Sequence, residues 1–203
     1  EVYGTALYVP IDESHPMQAQ SPYSASKIGA DAIATSFNNS FDMPLTIVRP
    51  FNTYGPRQSA RAIIPTVITQ LASGNKVLNL GDTSPTRDFN YVKDTARGFV
   101  ELAMCDQAVG KTVNLGSNSE ISMLDLIHLI GELFELEITI EKDNNRVRPK
   151  ESEVFRLWAD NTLAKKLINF NSEFSLRDGL AETIKWFTNK ENLSKYKSNS
   201  YNV

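Results

Sequence analysis

The stretch Ser21-Pro22-Tyr23-Ser24-Ala25-Ser26-Lys27 decides how this chain is read. Ser21 is a natural N-cap and Pro22 suits the first helical position, so a helix begins here. Tyr23 and Lys27 are four apart, which puts both on one face of that helix. An ammonium held beside a phenol favours the phenolate, and a tyrosine so placed can act as a general base. The spacing by itself also suits an ordinary helix start with a buried ring and a solvated lysine. The surrounding sequence has to decide.

Working outward, Pro22 to Phe41 reads as one long helix rich in small residues, with Ile28, Ile33 and Phe37 as an apolar stripe. Met43-Pro44 ends it. Leu45 to Val48 is a continuous apolar run, as expected of a buried parallel strand. Residues 49 to 57 then read as a loop at the carboxyl end of that strand, where open α/β sheets bind ligands. Helices are predicted over Ile63–Ser73, from Asp94 as a cap to about Met104, from Ser122 to Phe134, from Asp160 to Ile168 and from Ser175 to Phe187. Strands are predicted at Val77–Leu80, Thr112–Leu115 and Glu137–Glu141, with 88 to 92 extended. Residues 142 to 153 read as a polar, basic loop, and the chain after Thr188 as a frayed tail. This alternation is α/β. No glycine-rich G-x-G-x-x-G turn occurs in it.

Composition narrows the function classes. The 203 residues are 41% hydrophobic, enough for a real core, and the net charge of −3 gives no electrostatic case for nucleic acid or an anionic membrane. No apolar run approaches a membrane span. The single Cys105 cannot form an internal disulfide and reads as a reduced helix residue. His15 and His128 lack partners at metal-ligand spacing, so no metal is expected. The chain opens Glu-Val-Tyr-Gly-Thr without an initiator Met, like a strand end running into a turn, and reads as a chain seen in part.

Five ordered motifs carry a resemblance. They are Glu1-Val-Tyr-Gly4 followed by Ser21 to Lys27; Arg49-Pro-Phe-Asn-Thr-Tyr-Gly55; Thr86-Arg-Asp-Phe-Asn-Tyr-Val92 with Asp94; Arg148-Pro-Lys-Glu-Ser-Glu153; and Trp158-Ala-Asp160. Together they resemble the extended short-chain dehydrogenase/reductase superfamily, within it the NAD-dependent nucleotide-sugar epimerases and dehydratases. The 4,6-dehydratases of legionaminic-acid pathways look nearest. The resemblance implies the carboxyl-terminal part of a Rossmann-type doubly wound parallel sheet plus a small α/β substrate-binding domain. The Rossmann part would take residues 1–57 and about 85–118, the substrate domain 58–84 and 119–188, and 189–203 would be a flexible tail. The glycine-rich pyrophosphate turn would lie before Glu1.

The same resemblance assigns roles. Tyr23 would take the proton of the sugar 4-hydroxyl, and Lys27 would assist it and hold the nicotinamide ribose. Glu1 would take the C5 proton: a ketone at C4 acidifies C5–H, and loss of that proton expels the C6 hydroxyl as water. Pro50 and Phe51 would line the nicotinamide. Asn52 would hold the sugar diphosphate, Arg87 and Arg148 the phosphates, where guanidinium forks suit paired oxygens. Glu153 would accept from the nucleotide ribose, and Arg57 is a weaker substrate-side candidate. Asp94 and Asp88 read as structural. The implied protein is a cytoplasmic homodimer joined through the 22–41 helix, with tightly bound NAD, acting on a UDP- or GDP-linked hexose or N-acetylhexosamine. A UDP-sugar 4-epimerase is the rival on the same scaffold. A non-catalytic remnant that dimerises or binds sugar nucleotides weakly is the rival of another class.

Overall fold

The helix opening at Ser21 forms as its sequence requires. In the computed structural model, which describes residues 2–143 and 153–196, α1 runs from Pro22 to Phe41. Ser21 and Ser24 cap it reciprocally: the Ser24 amide donates to Ser21 Oγ at 3.1 Å and the Ser21 amide to Ser24 Oγ at 3.0 Å. Such caps contribute about 1 kcal/mol. Asp42 closes the helix in the left-handed conformation, φ 50°. The burial is unexpected. Ser24 is the one buried residue of α1; of the apolar stripe Ile28 is half-buried against a core cluster that includes Tyr3 and Phe51, while Ile33 (62% exposed) and Phe37 (44%) face outward, as does Phe41 (71%).

The backbone falls into two compact units. The first comprises residues 1–53, 86–120 and 149–173. Its centre is a parallel pair, β1 (Ile47–Pro50) and β6 (Thr112–Leu115), in the register Ile47 to Thr112 and Pro50 to Leu115. β6 is buried from Val113 onward, whereas β1 is half-buried at best. The apolar run at 45–48 predicts a strand covered on both sides. Among the described residues β1 has a single strand neighbour, so it is an edge.

The segment after β1, predicted as loop, starts with a short strand, β2 (Asn52–Tyr54), paired with β5 (Phe89–Tyr91). A two-residue strand β4 (Thr86–Arg87) pairs in parallel with β9 (Arg156–Leu157). Helix α3 spans Val92–Ala103 with Tyr91 at its cap, so Asp94 sits inside the first turn rather than capping it. There it receives the Glu173 amide at 3.0 Å and an Arg97 guanidinium N–H at 3.2 Å. Gly98 lets α3 approach the core, because a Cβ at that position would lie 2.7 Å from Leu115 Cδ1. A 3-10 turn at Asp106–Ala108 leads into β6. Helix α5 (Thr162–Ile168) follows Asn161 and starts two residues later than predicted, with Asp160 accepting from the Thr162 amide at 2.8 Å. Leu102, Val113, Leu115, Ala164 and Phe170 form one core cluster; Tyr3, Ile11, Phe51, Leu157 and Ala159 belong to another.

Asp88 ties three segments of this unit together. Its fully buried carboxylate accepts from the Ser117 amide at 2.8 Å, Ser117 Oγ at 2.7 Å, the Asn118 amide at 3.1 Å and the Ala159 amide at 3.2 Å. Burial pushes its carboxyl up against the pull of these donors.

The second unit comprises residues 54–85, 121–148 and 174–203. Helix α2 (Ile63–Ala72) is buried on nearly every side, Thr69 and Gln70 included, and packs on α4 (Met123–Leu133) and α6 (Leu176–Thr188). β3 (Val77–Leu80) pairs in parallel with β8 (Thr139–Lys142), the latter starting two residues later than predicted. The Gln70 side chain accepts from the Asn79 amide at 3.2 Å, tying α2 to β3. Residues Ile121–Ser122 form β7, and Ser122 caps α4 by accepting from the Asp125 amide at 3.0 Å. Ser175 does the same for α6 through Asp178 at 3.1 Å. In the stretch read as a frayed tail, Lys190–Leu193 forms α7, and Tyr196 packs edge-on against Phe187, its hydroxyl donating to the Gln58 carbonyl at 3.1 Å. No helix among the described residues is long and apolar enough to cross a membrane.

Candidate functional site

The first unit contains a cavity of about 470 Å³. Its walls come from the opening segment (Val2, Tyr3), from α1 (Tyr23, Lys27, Asp31), from β1 and the residues after it (Arg49 to Asn52), and from Phe99 and Leu157. Tyr23, Lys27 and Asp31 recur every fourth residue, so one helix face presents all three. Tyr23 is 59% exposed. The Lys27 ammonium lies 5.5 Å from the centre of the Tyr23 ring. Among the described residues neither the phenol nor the ammonium has a hydrogen-bond or ion-pair partner. Both are available to a ligand.

Pro50, Phe51 and Asn52 line the same cavity, as the carboxyl end of a strand predicts. Phe51 is anchored by its amide, which donates to the Leu115 carbonyl at 2.8 Å, and Asn52 by its amide, which donates to the Asp88 carbonyl at 3.1 Å. Tyr23, Lys27, Pro50, Phe51 and Asn52 are therefore brought together.

Arg87 and Glu153 are also brought together, as partners of each other. Their side chains form an ion pair at 3.4 Å and are 12% and 14% exposed. Arg87 Nη1 donates to the Thr86 carbonyl at 2.8 Å, and the Glu153 carbonyl accepts from Thr5 Oγ1 at 3.3 Å. Arg57 belongs to the second unit, where it is exposed in a turn with φ 67°. Glu1 and Arg148 lie outside the described residues.

Sequence reading passed over a polar chain behind the cavity. Arg49 Nε donates to Asp31 Oδ2 at 2.9 Å, and Arg49 Nη1 donates to the Tyr3 hydroxyl at 2.8 Å. The Tyr3 hydroxyl in turn donates to Asn114 Oδ1 at 2.6 Å. Burial pushes the Tyr3 phenol up, so it stays protonated. The Asn114 amide donates to Glu13 at 2.8 Å, and burial pushes that carboxyl up as well. The signal for Asp31 was present in the sequence, since it continues the spacing of Tyr23 and Lys27. Nothing local to Arg49 or Tyr3 announces a partner eighteen or more residues away.

Known proteins resemble this chain along most of its length. The sequence model of the GDP-mannose 4,6 dehydratase family matches residues 1–183. A dTDP-glucose 4,6-dehydratase of Streptomyces griseus is 31% identical over 187 residues, covering 92% of this chain and 56% of the relative. A putative UDP-glucose 4-epimerase of Methanocaldococcus jannaschii is 30% identical, covering 93% of this chain and 60% of the relative. The crystal structure of a dTDP-glucose 4,6-dehydratase of Bacillus anthracis in complex with NAD superposes with a TM-score of 0.81 at 27% identity, covering 94% of this chain and 60% of that one. The chain thus spans about 60% of the length of such relatives. With a match that begins at the first residue, runs past α5 into α6 and includes the Tyr23–Lys27 helix and the segments around the cavity, the chain belongs to the GDP-mannose 4,6 dehydratase family of NAD-dependent epimerases and dehydratases.

Proposed function

We propose that this chain supplies the general base and part of the ligand contacts of an NAD-dependent nucleotide-sugar 4,6-dehydratase. The observation that carries the reading is the unpartnered phenol and ammonium of Tyr23 and Lys27, one turn apart on a single cavity wall beside Pro50, Phe51 and Asn52. That arrangement fits a nicotinamide riboside: an apolar wall for the ring and a free ammonium for the ribose hydroxyls. The NAD bound by the relative of known structure adds support. Bound there, NAD would accept a hydride from sugar C4 and later return it to C6.

Tyr23 takes the proton of the 4-hydroxyl as C4 is oxidised. Lys27 stabilises the resulting phenolate through its charge and holds the ribose. Pro50 and Phe51 exclude water from that side. Asn52 receives the diphosphate. Glu1, with a 4-ketone in place, removes the C5 proton and returns it to the C6 hydroxyl, which leaves as water as the C5–C6 double bond forms. Arg87 and Arg148 would meet the phosphates, Glu153 the nucleotide ribose and Arg57 the substrate-side loop. Occupation of Arg87 by Glu153 means that ligand binding would have to share or replace that ion pair. The carrier is UDP or GDP, the sugar a hexose or N-acetylhexosamine, and the product a 4-keto-6-deoxy sugar. The exposed stripe of α1 supports a homodimer through that helix.

The relatives include 4-epimerases, which form the same 4-ketone, so that reading stays as the alternative. The two separate at C5: an epimerase needs no base there. In the complete protein, Tyr23→Phe abolishes C4 oxidation, whereas Glu1→Gln leaves 4-ketone formation measurable and stops water loss. Products are read by the alkaline absorbance of 4-keto-6-deoxy sugars and by chromatography of the C4 isomers. Release of 6-deoxy product at full rate by Glu1→Gln would sink the role given to Glu1. A C4 isomer as sole product would establish the epimerase. Neither activity nor NAD binding in the complete protein would leave the remnant reading.

A further inference from the structure

The face of α1 that presents Tyr23 and Lys27 also presents Asp31. Asp31 is four residues beyond Lys27, the distance at which helical side chains of opposite charge pair. A carboxylate on Lys27 would draw its ammonium down the helix and cancel its charge at the phenol. The structure holds Asp31 elsewhere. Its Oδ2 accepts from Arg49 Nε at 2.9 Å, with the two side chains 17% and 11% exposed. A pair this sheltered is held more firmly than one on an open surface.

Arg49 is itself pinned. Its guanidinium lies 4.9 Å from the centre of the Tyr3 ring, Nη1 donates to the Tyr3 hydroxyl, and Nη2 meets Met17 Sδ at 3.2 Å. The Tyr3 proton is committed to Asn114, whose side-chain amide donates to the Ile11 carbonyl at 3.1 Å. The guanidinium therefore rests on buried β6 through one intermediary, Tyr3. Among the described residues, the charged and titratable groups facing the cavity are Tyr3, Tyr23, Lys27, Asp31 and Arg49. Of these, Asp31 is the only carboxylate, and Arg49 has it.

We propose that Arg49 is a positioning residue for Lys27: by holding Asp31 it removes the carboxylate that helical spacing offers to the Lys27 ammonium, and leaves that ammonium to Tyr23 and the ligand. The inference rests on the reading of Tyr23 and Lys27 as base and cation, but its electrostatic content is measurable without catalysis.

The test is NMR titration of the full-length protein carrying 13Cζ-labelled tyrosine, with the Tyr23 signal assigned by its loss in Tyr23→Phe. In Arg49→Met, Asp31 turns to Lys27 and the Tyr23 titration midpoint rises by on the order of one pH unit. Adding Asp31→Asn to Arg49→Met returns it to the wild-type position, and Arg49→Lys leaves it there. A general structural role for Arg49 gives no such rescue, because the double variant still lacks the guanidinium. An unmoved midpoint in Arg49→Met, or no recovery in the double variant, overturns the proposal. Should Arg49→Met not fold, the wild-type protein decides: the Arg49 Nε–H resonance must be protected from solvent exchange and change on Asp31→Asn. A fast-exchanging Nε–H overturns it equally. Loss of turnover in Tyr23→Phe tests the base independently, so failure of one reading leaves the other standing.

Discussion

Replacing Asp88 with Ala removes a buried carboxylate and leaves its donors behind. Four hydrogen bonds go: those from the amides of Ser117, Asn118 and Ala159 and from the Ser117 hydroxyl. The hydroxyl has a fallback, since Ser117 Oγ lies 3.3 Å from the Ser119 carbonyl. Of the three amides, Ala159 is buried, Ser117 is half-buried and Asn118 is exposed, so the Asn118 amide can turn to water. The two sheltered amides, left unsatisfied, cost roughly 1–2 kcal/mol each, so together roughly 2–4 kcal/mol. Against this, the variant no longer desolvates a carboxylate, which offsets part of the loss and leaves roughly 1–3 kcal/mol. That is a large share of a stability of about 5–15 kcal/mol. Asp88→Asn keeps one acceptor oxygen and turns an N–H toward at least one donor, so roughly half the effect is expected. Amide hydrogen exchange is the assay, because it reads positions 117, 118 and 159 individually and needs no two-state unfolding. All three amides should lose protection together in Asp88→Ala. Unchanged protection there, with global stability within about 0.5 kcal/mol of wild type, would refute the claim that this carboxylate joins the three segments.

Two further outcomes are expected. The Glu120 carboxyl is held below its ordinary 4.5, chiefly by hydrogen bonds from Arg156, with burial opposing and the Thr86 hydroxyl assisting. A carboxyl whose folded pKa is depressed adds stability above its unfolded pKa and loses it as pH falls through the folded value. Arg156→Gln should therefore lower the melting temperature at neutral pH and converge with wild type in acid, read by thermal melts from pH 7 to pH 3; a difference that persists in acid would mean that Arg156 acts by packing instead, over the Trp158 ring 5.8 Å away. For the proposed homodimer, Phe37→Glu with Phe41→Glu on the exposed face of α1 should give a monomer in sedimentation without disturbing the circular dichroism, and a sedimentation coefficient unchanged from wild type would overturn the proposal that this helix is a dimer interface.

Much of the local structure was legible in the chain itself. Ser21, Ser122 and Ser175 cap the helices that follow them, because a cap depends on residues within one turn. The extent of α1 was readable for the same reason, as was the shared face of Tyr23 and Lys27. Features that depend on distant partners were hidden. Asn52–Tyr54 pairs as a strand because of residues 89–91, not because of its own composition. Asp94 looked like a cap and instead receives groups from Arg97 and Glu173 inside the first turn.

The candidate site divides in the same way. The sequence by itself determined that Tyr23 and Lys27 share one helix face and that Pro50 to Asn52 stand at a strand end, since helical spacing and position after an apolar run are local quantities. Only the tertiary structure decided which charges meet. Arg87 lies against Glu153, 66 residues later in the chain, and Arg49 reaches back 18 residues to Asp31 and 46 to Tyr3. Electrostatic partners are set by distance in space and by shelter from water, and neither can be computed from spacing along a strand or helix until the fold has closed.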